Sequence, residues 1–144
     1  MLRKTLSFAG ALCLLLAPAA GAQPGESWSE GAPQWSSVNI CSPGQVGVRA
    51  SLPGDGSGDQ MSARFTLQWL NPGTQAWEPV QGAATSHWVD AGSAKVLWSQ
   101  VGYTFQVDPT PAGKTFTFRG LAELRAGGGR QVALTTPNTC ALGG

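Results

Sequence analysis

Apolar and polar residues alternate along most of the chain beyond about Trp35, the period of extended strand. Val38 and Ile40 alternate with Ser37 and Asn39. Val46, Val48, Ala50 and Leu52 alternate with Gly47, Arg49 and Ser51. Phe65, Leu67 and Trp69 follow the same rule, as do Tyr103, Phe105 and Val107, then Phe116 and Phe118. Val132 and Leu134 close the series, and shorter candidates lie at 76–80, 86–90 and 95–99. Turn residues fill the gaps. The 53–59 run reads as a loose loop, Asn71-Pro72-Gly73-Thr74 as a tight turn, and 109–113 as a further break. A glycine hairpin at 126–130 joins the last two strands. Short strands with turn chemistry and no helical crossover predict an antiparallel sandwich or barrel.

One segment carries two signals. Leu121-Ala122-Glu123-Leu124-Arg125-Ala126 is rich in helix formers. Six residues are too few for a stable isolated helix, and the alternation from Phe116 continues through Gly120, Ala122 and Leu124. The segment is read as strand.

The start of the chain follows a different pattern. Arg3 and Lys4 precede an apolar stretch from Leu6 to about Ala17, Pro18 interrupts it, and Ala20-Gly21-Ala22 supplies small residues. This is the layout of a secretory signal peptide over residues 1–22. An uncleaved anchor is the alternative, but the apolar run is shorter than the ~20 residues that span a bilayer. Cys13 follows Leu12 instead of a small residue, unlike a lipoprotein cleavage site. Residues 23–34 read as a flexible leader and 35–144 as one domain. The expected location is secreted or periplasmic, with no stable membrane insertion after cleavage.

Composition narrows the function. Charged residues make up 12% of the 144, and the formal net charge is +1. Loss of Arg3 and Lys4 would put the acids one ahead of the bases. So weak a field argues against nucleic acid as a partner and against long-range steering of a charged one. Without Cys13, two cysteines remain, Cys41 and Cys140. An even pair in an exported chain reads as a disulfide. Closing so long a loop stabilises by up to ~4–5 kcal/mol in the chain-entropy account.

The stretch from Lys114 through Phe116, Phe118 and Arg119 to Leu124, a glycine-rich turn, and Arg130-Gln-Val-Ala-Leu-Thr-Thr resembles the last two strands of fibronectin type III and other immunoglobulin-like domains. With Gly102-Tyr103-Thr104-Phe105 it is similar to small secreted bacterial immunoglobulin-like proteins. The resemblance covers about residues 36–141, and its specific part is the last third. It implies an all-β, antiparallel immunoglobulin-like sandwich of about seven to eight strands with one disulfide. The chain departs from antibody-type domains in two ways. Its cysteines lie near opposite ends of the domain, and no Tyr stands two residues before Cys140. In such a fold, parallel pairing of the first strand with the last would bring Cys41 and Cys140 within bonding range.

Catalytic chemistry is hard to assemble from these residues. The single His, His87, sits in a Ser-His-Trp context with no nucleophile elbow. Two bonded cysteines leave no thiolate, and nothing in the spacing of the acids selects a carboxylate pair. Asp55-x-Ser57-x-Asp59 resembles half a calcium loop, but Gln60 and Thr66 stand where glycine and an acid belong. A flexible hairpin loop is the preferred reading. No catalytic residue, metal ligand or cofactor is therefore expected.

The informative excess is tryptophan, six in all. Trp69 and Trp98 share the alternation of apolar neighbours (Phe65 and Leu67; Val96) and are expected in the core. Trp35, Trp77 and Trp88 lie near loops or the leader, and Trp28 lies within the leader. An indole there can stack on a sugar or anchor a protein. Two readings follow: a non-enzymatic interaction module whose partner is another protein, or a carbohydrate-binding module that uses Trp77 and Trp88 on a cell-surface glycan.

Overall fold

The computed structural model describes residues 34–82, 84–126 and 130–144. The signal segment, all but the last residue of the leader, and the middle of the glycine hairpin lie outside the described residues. Among the described residues nine strands run in order: β1 (Trp35–Ser42), β2 (Gln45–Pro53), β3 (Gln60–Leu70), β4 (Trp77–Pro79), β5 (Val89–Ser93), β6 (Trp98–Gln106), β7 (Thr115–Arg125), β8 (Gln131–Thr135) and β9 (Cys140–Gly143). One sheet has the order β1-β2-β6. The other has β4-β3-β7-β8, with β5 also on β3 and β9 also on β7. All pairings are antiparallel. The expected all-β antiparallel sandwich is what the chain forms, and the arrangement is compatible with an immunoglobulin-like one.

The strand number exceeds the expectation because both edges of the second sheet are broken. β4 and β5 are two pieces of one edge along β3, bridged by the isolated pair Thr66–Thr85. Between them Leu67 N still donates to Ala84 O and Ser86 N to Phe65 O, and the Ser86 side chain completes the pairing. Its hydroxyl accepts from Phe65 N at 2.9 Å and donates to the His87 carbonyl at 2.7 Å. β8 and β9 are likewise two pieces of one edge along β7. Thr136 N donates to Gly120 O at 2.8 Å, but Gly120 N donates to the Thr136 hydroxyl at 3.0 Å in place of a strand carbonyl, and Pro137 has no N–H with which to continue the ladder.

The core forms where the inward rows meet. Val46, Val48, Ala50 and Leu52 of β2 face Met61, Ala63, Phe65 and Leu67 of β3 and Phe118, Ala122 and Leu124 of β7, all buried. At Gly120 a β-carbon would lie 2.5 Å from Val48 Cγ1, so glycine sets the sheet separation at this point. The 121–125 segment is strand throughout, paired to β3 on one side and β8 on the other. Two ladders outweigh a local helix preference that six residues cannot propagate.

Three expectations need correction. Trp98 is 46% exposed and Val96 likewise 46%, and neither is core. The inward phase of β6 belongs to Val101, Tyr103 and Phe105, and Trp98 has the opposite parity. The 53–59 loop is not loose: Gly54 N donates to Leu97 O at 3.0 Å, Asp55 N and Gly56 N to Ala94 O at 3.1 and 2.9 Å, and Ala94 N to Asp59 O at 2.8 Å. Finally, β1 does not pair in parallel with the last strand; among the described residues its one strand partner is β2.

The two ends are joined in another way. The Asn138 side-chain amide spans Val38, accepting from its N–H at 2.9 Å and donating to its carbonyl at 2.8 Å. Two residues on, Cys140 is bonded to Cys41, with Cα atoms 5.4 Å apart and a sequence separation of 99. The expected disulfide is present.

Two outcomes follow from this packing. Gly120→Ala should destabilise the domain by ~1–3 kcal/mol through overpacking, and Val48→Ala in the same chain should recover part of that loss. Asn138→Ala should cost ~1–3 kcal/mol by leaving the Val38 backbone groups unpaired, with the disulfide intact. Urea unfolding of the oxidised protein measures both.

Candidate functional site

The three tryptophans expected to make contacts are all half-buried, and each lies under a guanidinium. Trp77 opens β4 opposite Leu70, with Arg119 Cζ 4.4 Å from its ring centroid. Arg119 is steadied by Gln68 on the neighbouring strand, whose Oε1 accepts from its Nε at 2.8 Å. Trp88 precedes β5 and has two cations over its ring, Arg125 at 3.6 Å and Arg64 at 4.9 Å. Trp35 opens β1 beneath Arg49, 5.2 Å away. Strand pairing brings Trp77 and Trp88 to one sheet, while Trp35 belongs to the other.

These pairs satisfy both partners. A guanidinium over an indole gains electrostatic and dispersion energy, on the order of 0.5–1 kcal/mol at an exposed site. The ring face so covered is closed to a sugar until the arginine moves. Arg64 is further fixed by a two-pronged ion pair with Glu123, at 2.8 Å for both Nε–Oε2 and Nη2–Oε1. Those hydrogen bonds hold the Glu123 carboxyl below its ordinary value. Asp55 is also lowered, because the Ser57 hydroxyl and N–H both favour its charged form.

The acidic loop that resembles half a calcium site spends its oxygens internally. Asp55 Oδ1 accepts from Ser57 N at 2.8 Å, and Ser57 Oγ accepts from Asp59 N at 3.2 Å. Among the described residues, no group of three or more His, Cys, Asp or Glu could hold a metal ion. His87 is exposed, and its ring meets Tyr103 edge-on at 5.8 Å.

Two surfaces escaped the sequence reading. The first is an open cleft of about 660 Å³ at one end of the sandwich, between the C-terminal end of β6 and the end of β4 with the residues that follow it, 78–82. Trp69, Val80, Val107, Phe116 and Phe118 supply its apolar lining, and Glu78 and Asp108 supply acidic groups. Trp69 and Phe116 pack edge to face at 5.9 Å and give the floor a defined shape. The lining comes from segments far apart in the chain, so no local pattern marks it.

The second surface is the tip between β5 and β6. Val96, Leu97 and Trp98 are exposed by 46%, 64% and 46%. They are the large hydrophobic residues that stand out most from the surface. The tip is held by the Gly54, Asp55 and Gly56 N–H groups described above. Gly54 is required there, since a β-carbon would sit 1.8 Å from Val96 O. A sequence signal did exist: three successive apolar residues break the period-two rule just before a strand of known phase.

The chain matches no protein-family model, no curated protein and no solved structure. The disulfide fits an oxidising compartment. Among the described residues, no helix is long and apolar enough to cross a membrane.

The lowered Glu123 carboxyl has a pH consequence. Its contribution is present above its ordinary value of 4.5 and is lost as pH falls through the lower folded-state value. Acid denaturation of Glu123→Gln should therefore show a shallower loss of stability below about pH 4.5 than the parent. The difference should be small, because both side chains are more than a third exposed or nearly so, at 38% and 34%. Equilibrium unfolding at neutral and acidic pH checks it.

Proposed function

We propose that this protein is exported and acts as a non-enzymatic binding module, a small immunoglobulin-like or fibronectin type III-like sandwich working at a bacterial cell surface or in the periplasm. The reading rests most on one observation. Val96, Leu97 and Trp98 are exposed together on a turn that four backbone hydrogen bonds hold in place. An apolar cluster fixed in advance loses little conformational freedom on binding, and such clusters mark contact surfaces on soluble domains. The neighbouring features support export: a basic, apolar and small-residue start, and a disulfide that ties the domain's ends.

Glycan binding through Trp77 and Trp88 is the weaker reading, because arginines already occupy their rings. The function is expected to involve contact without turnover, with no metal or cofactor.

The test places a photo-crosslinking amino acid at Leu97 in the producing cells. Adducts of defined mass are expected, and Gly54→Ala should reduce them by displacing the tip. Absence of any adduct, together with saturable tryptophan quenching by a member of a glycan panel, would overturn this reading in favour of the glycan one.

A further inference from the structure

The parity of the β2–β6 ladder decides which backbone groups of β6 are already used. Gly54 N donates to Leu97 O at one end and Val107 N to Gly44 O at the other, at 3.0 and 2.9 Å. Between them Val46 faces Phe105 and Val48 faces Tyr103 in the same register. In an antiparallel pair, hydrogen-bonded and non-bonded positions alternate. The odd positions of β6 therefore turn N–H and C=O toward β2. Trp98, Gln100, Gly102, Thr104 and Gln106 turn theirs to the other side, and all five are exposed. Among the described residues β6 is the last strand in its sheet, and no strand pairs with that side.

Open edges invite pairing, and proteins blunt them with charges, proline, bulges or short strands. The other edges of this domain are blunted. β4 and β5 are short pieces, as are β8 and β9. β1 shifts register between Val38 and Ile40, and Asn138 occupies Val38. By contrast, β6 runs unbroken for 9 residues, and no charged residue or proline occurs from Trp98 through Val107.

We propose that β6 pairs antiparallel with β6 of a second copy of this chain, centred on Gly102, to make one continuous six-stranded sheet. Centring on Gly102 sets glycine against glycine at the axis, Gln100 against Thr104 of the second copy, and Trp98 against its Gln106. The five outward-turned positions then exchange about ten hydrogen bonds. At each end of the new ladder, the turn that precedes β6 of one copy, which carries Lys95, comes beside the segment that follows β6 of the other, which carries Asp108. The Lys95 ammonium thus comes next to the Asp108 carboxylate, twice by symmetry. The apolar tip of each copy also arrives at the mouth of the other's cleft, whose lining includes Gln106, Val107, Asp108 and Pro109. The exposed apolar tip and the open apolar cleft are brought together by a single operation, and opposite charges meet at their rim.

This inference rests on reading the tip and cleft as a contact surface, and it names the occupant. Sedimentation velocity of the exported, oxidised full chain, from low micromolar to millimolar concentration, tests it. A concentration-dependent dimer is expected. Thr104→Pro removes an outward N–H without touching the β2 ladder and should raise the dimer dissociation constant more than tenfold. Lys95→Asp and Asp108→Lys are surface changes that should each raise it about three- to tenfold. The double charge swap should restore the parent value, an outcome that misfolding cannot produce. A monomer at every concentration would overturn the proposal, as would a dimer indifferent to both Thr104→Pro and the charge swap. A monomer that instead takes an unrelated extended peptide along β6 would also overturn it. In either monomeric case, Leu97 cross-links to another protein would leave the contact-surface reading standing.

Discussion

Asn138 offers Val38 what a neighbouring strand would offer, one acceptor and one donor at peptide spacing. Much of the architecture depends on that substitution. The last strand cannot run straight past Pro137, so it breaks into β8 and β9. A break beside the first strand would leave buried backbone groups without partners, which costs more than the hydrogen bonds are worth when made. The side-chain amide meets that need, and Cys140 follows immediately to bond Cys41. The first and last strands are thus fixed together without sharing a ladder. The core between them packs to a spacing that leaves no room for a β-carbon at Gly120.

Much of this was legible in the sequence, for reasons that can be named. Alternation locates strands because one face of each is buried, so the inward rows of β2, β3, β6 and β7 emerged from polarity alone. The 121–126 segment was resolved by the same rule against its own helix propensity. Cysteine number, in a chain whose start resembles a signal peptide, pointed to the bridge. Trp98 failed because its pairing with Val96 was read in isolation; Tyr103 and Phe105 on the same strand carry the governing phase. The parallel pairing of the end strands failed because a side chain can imitate a peptide group, and nothing in Thr-Pro-Asn-Thr-Cys announces that.

The candidate site was legible only in part. Trp35, Trp77 and Trp88 stood out by type and position, and all three do lie partly exposed. Their covering arginines were invisible because cross-strand neighbours depend on register, which a single chain does not spell out. Arg119 meets Trp77, and Arg125 and Arg64 meet Trp88, only once β3, β4, β5 and β7 are aligned. The cations turn the expected platforms into internal fasteners of the second sheet's surface. The surfaces left bare are the tip at 96–98 and the end cleft, one a fixed apolar projection and the other a shaped apolar recess.

The covalent link between Cys41 and Cys140 also decides how the domain bears load. It joins a residue near the start of the fold to one near its end, with Cα atoms 5.4 Å apart. Tension applied through the two ends of the chain passes through the sulfur–sulfur bond and bypasses the ladders between. Within the domain only the start of β1 before Cys41 and the residues after Cys140 lie outside the bridge and can peel away, while the closed loop of nearly the whole sandwich feels no pull. A segment built this way behaves under force as a short, inextensible connector, and its length stays constant until that bond is reduced.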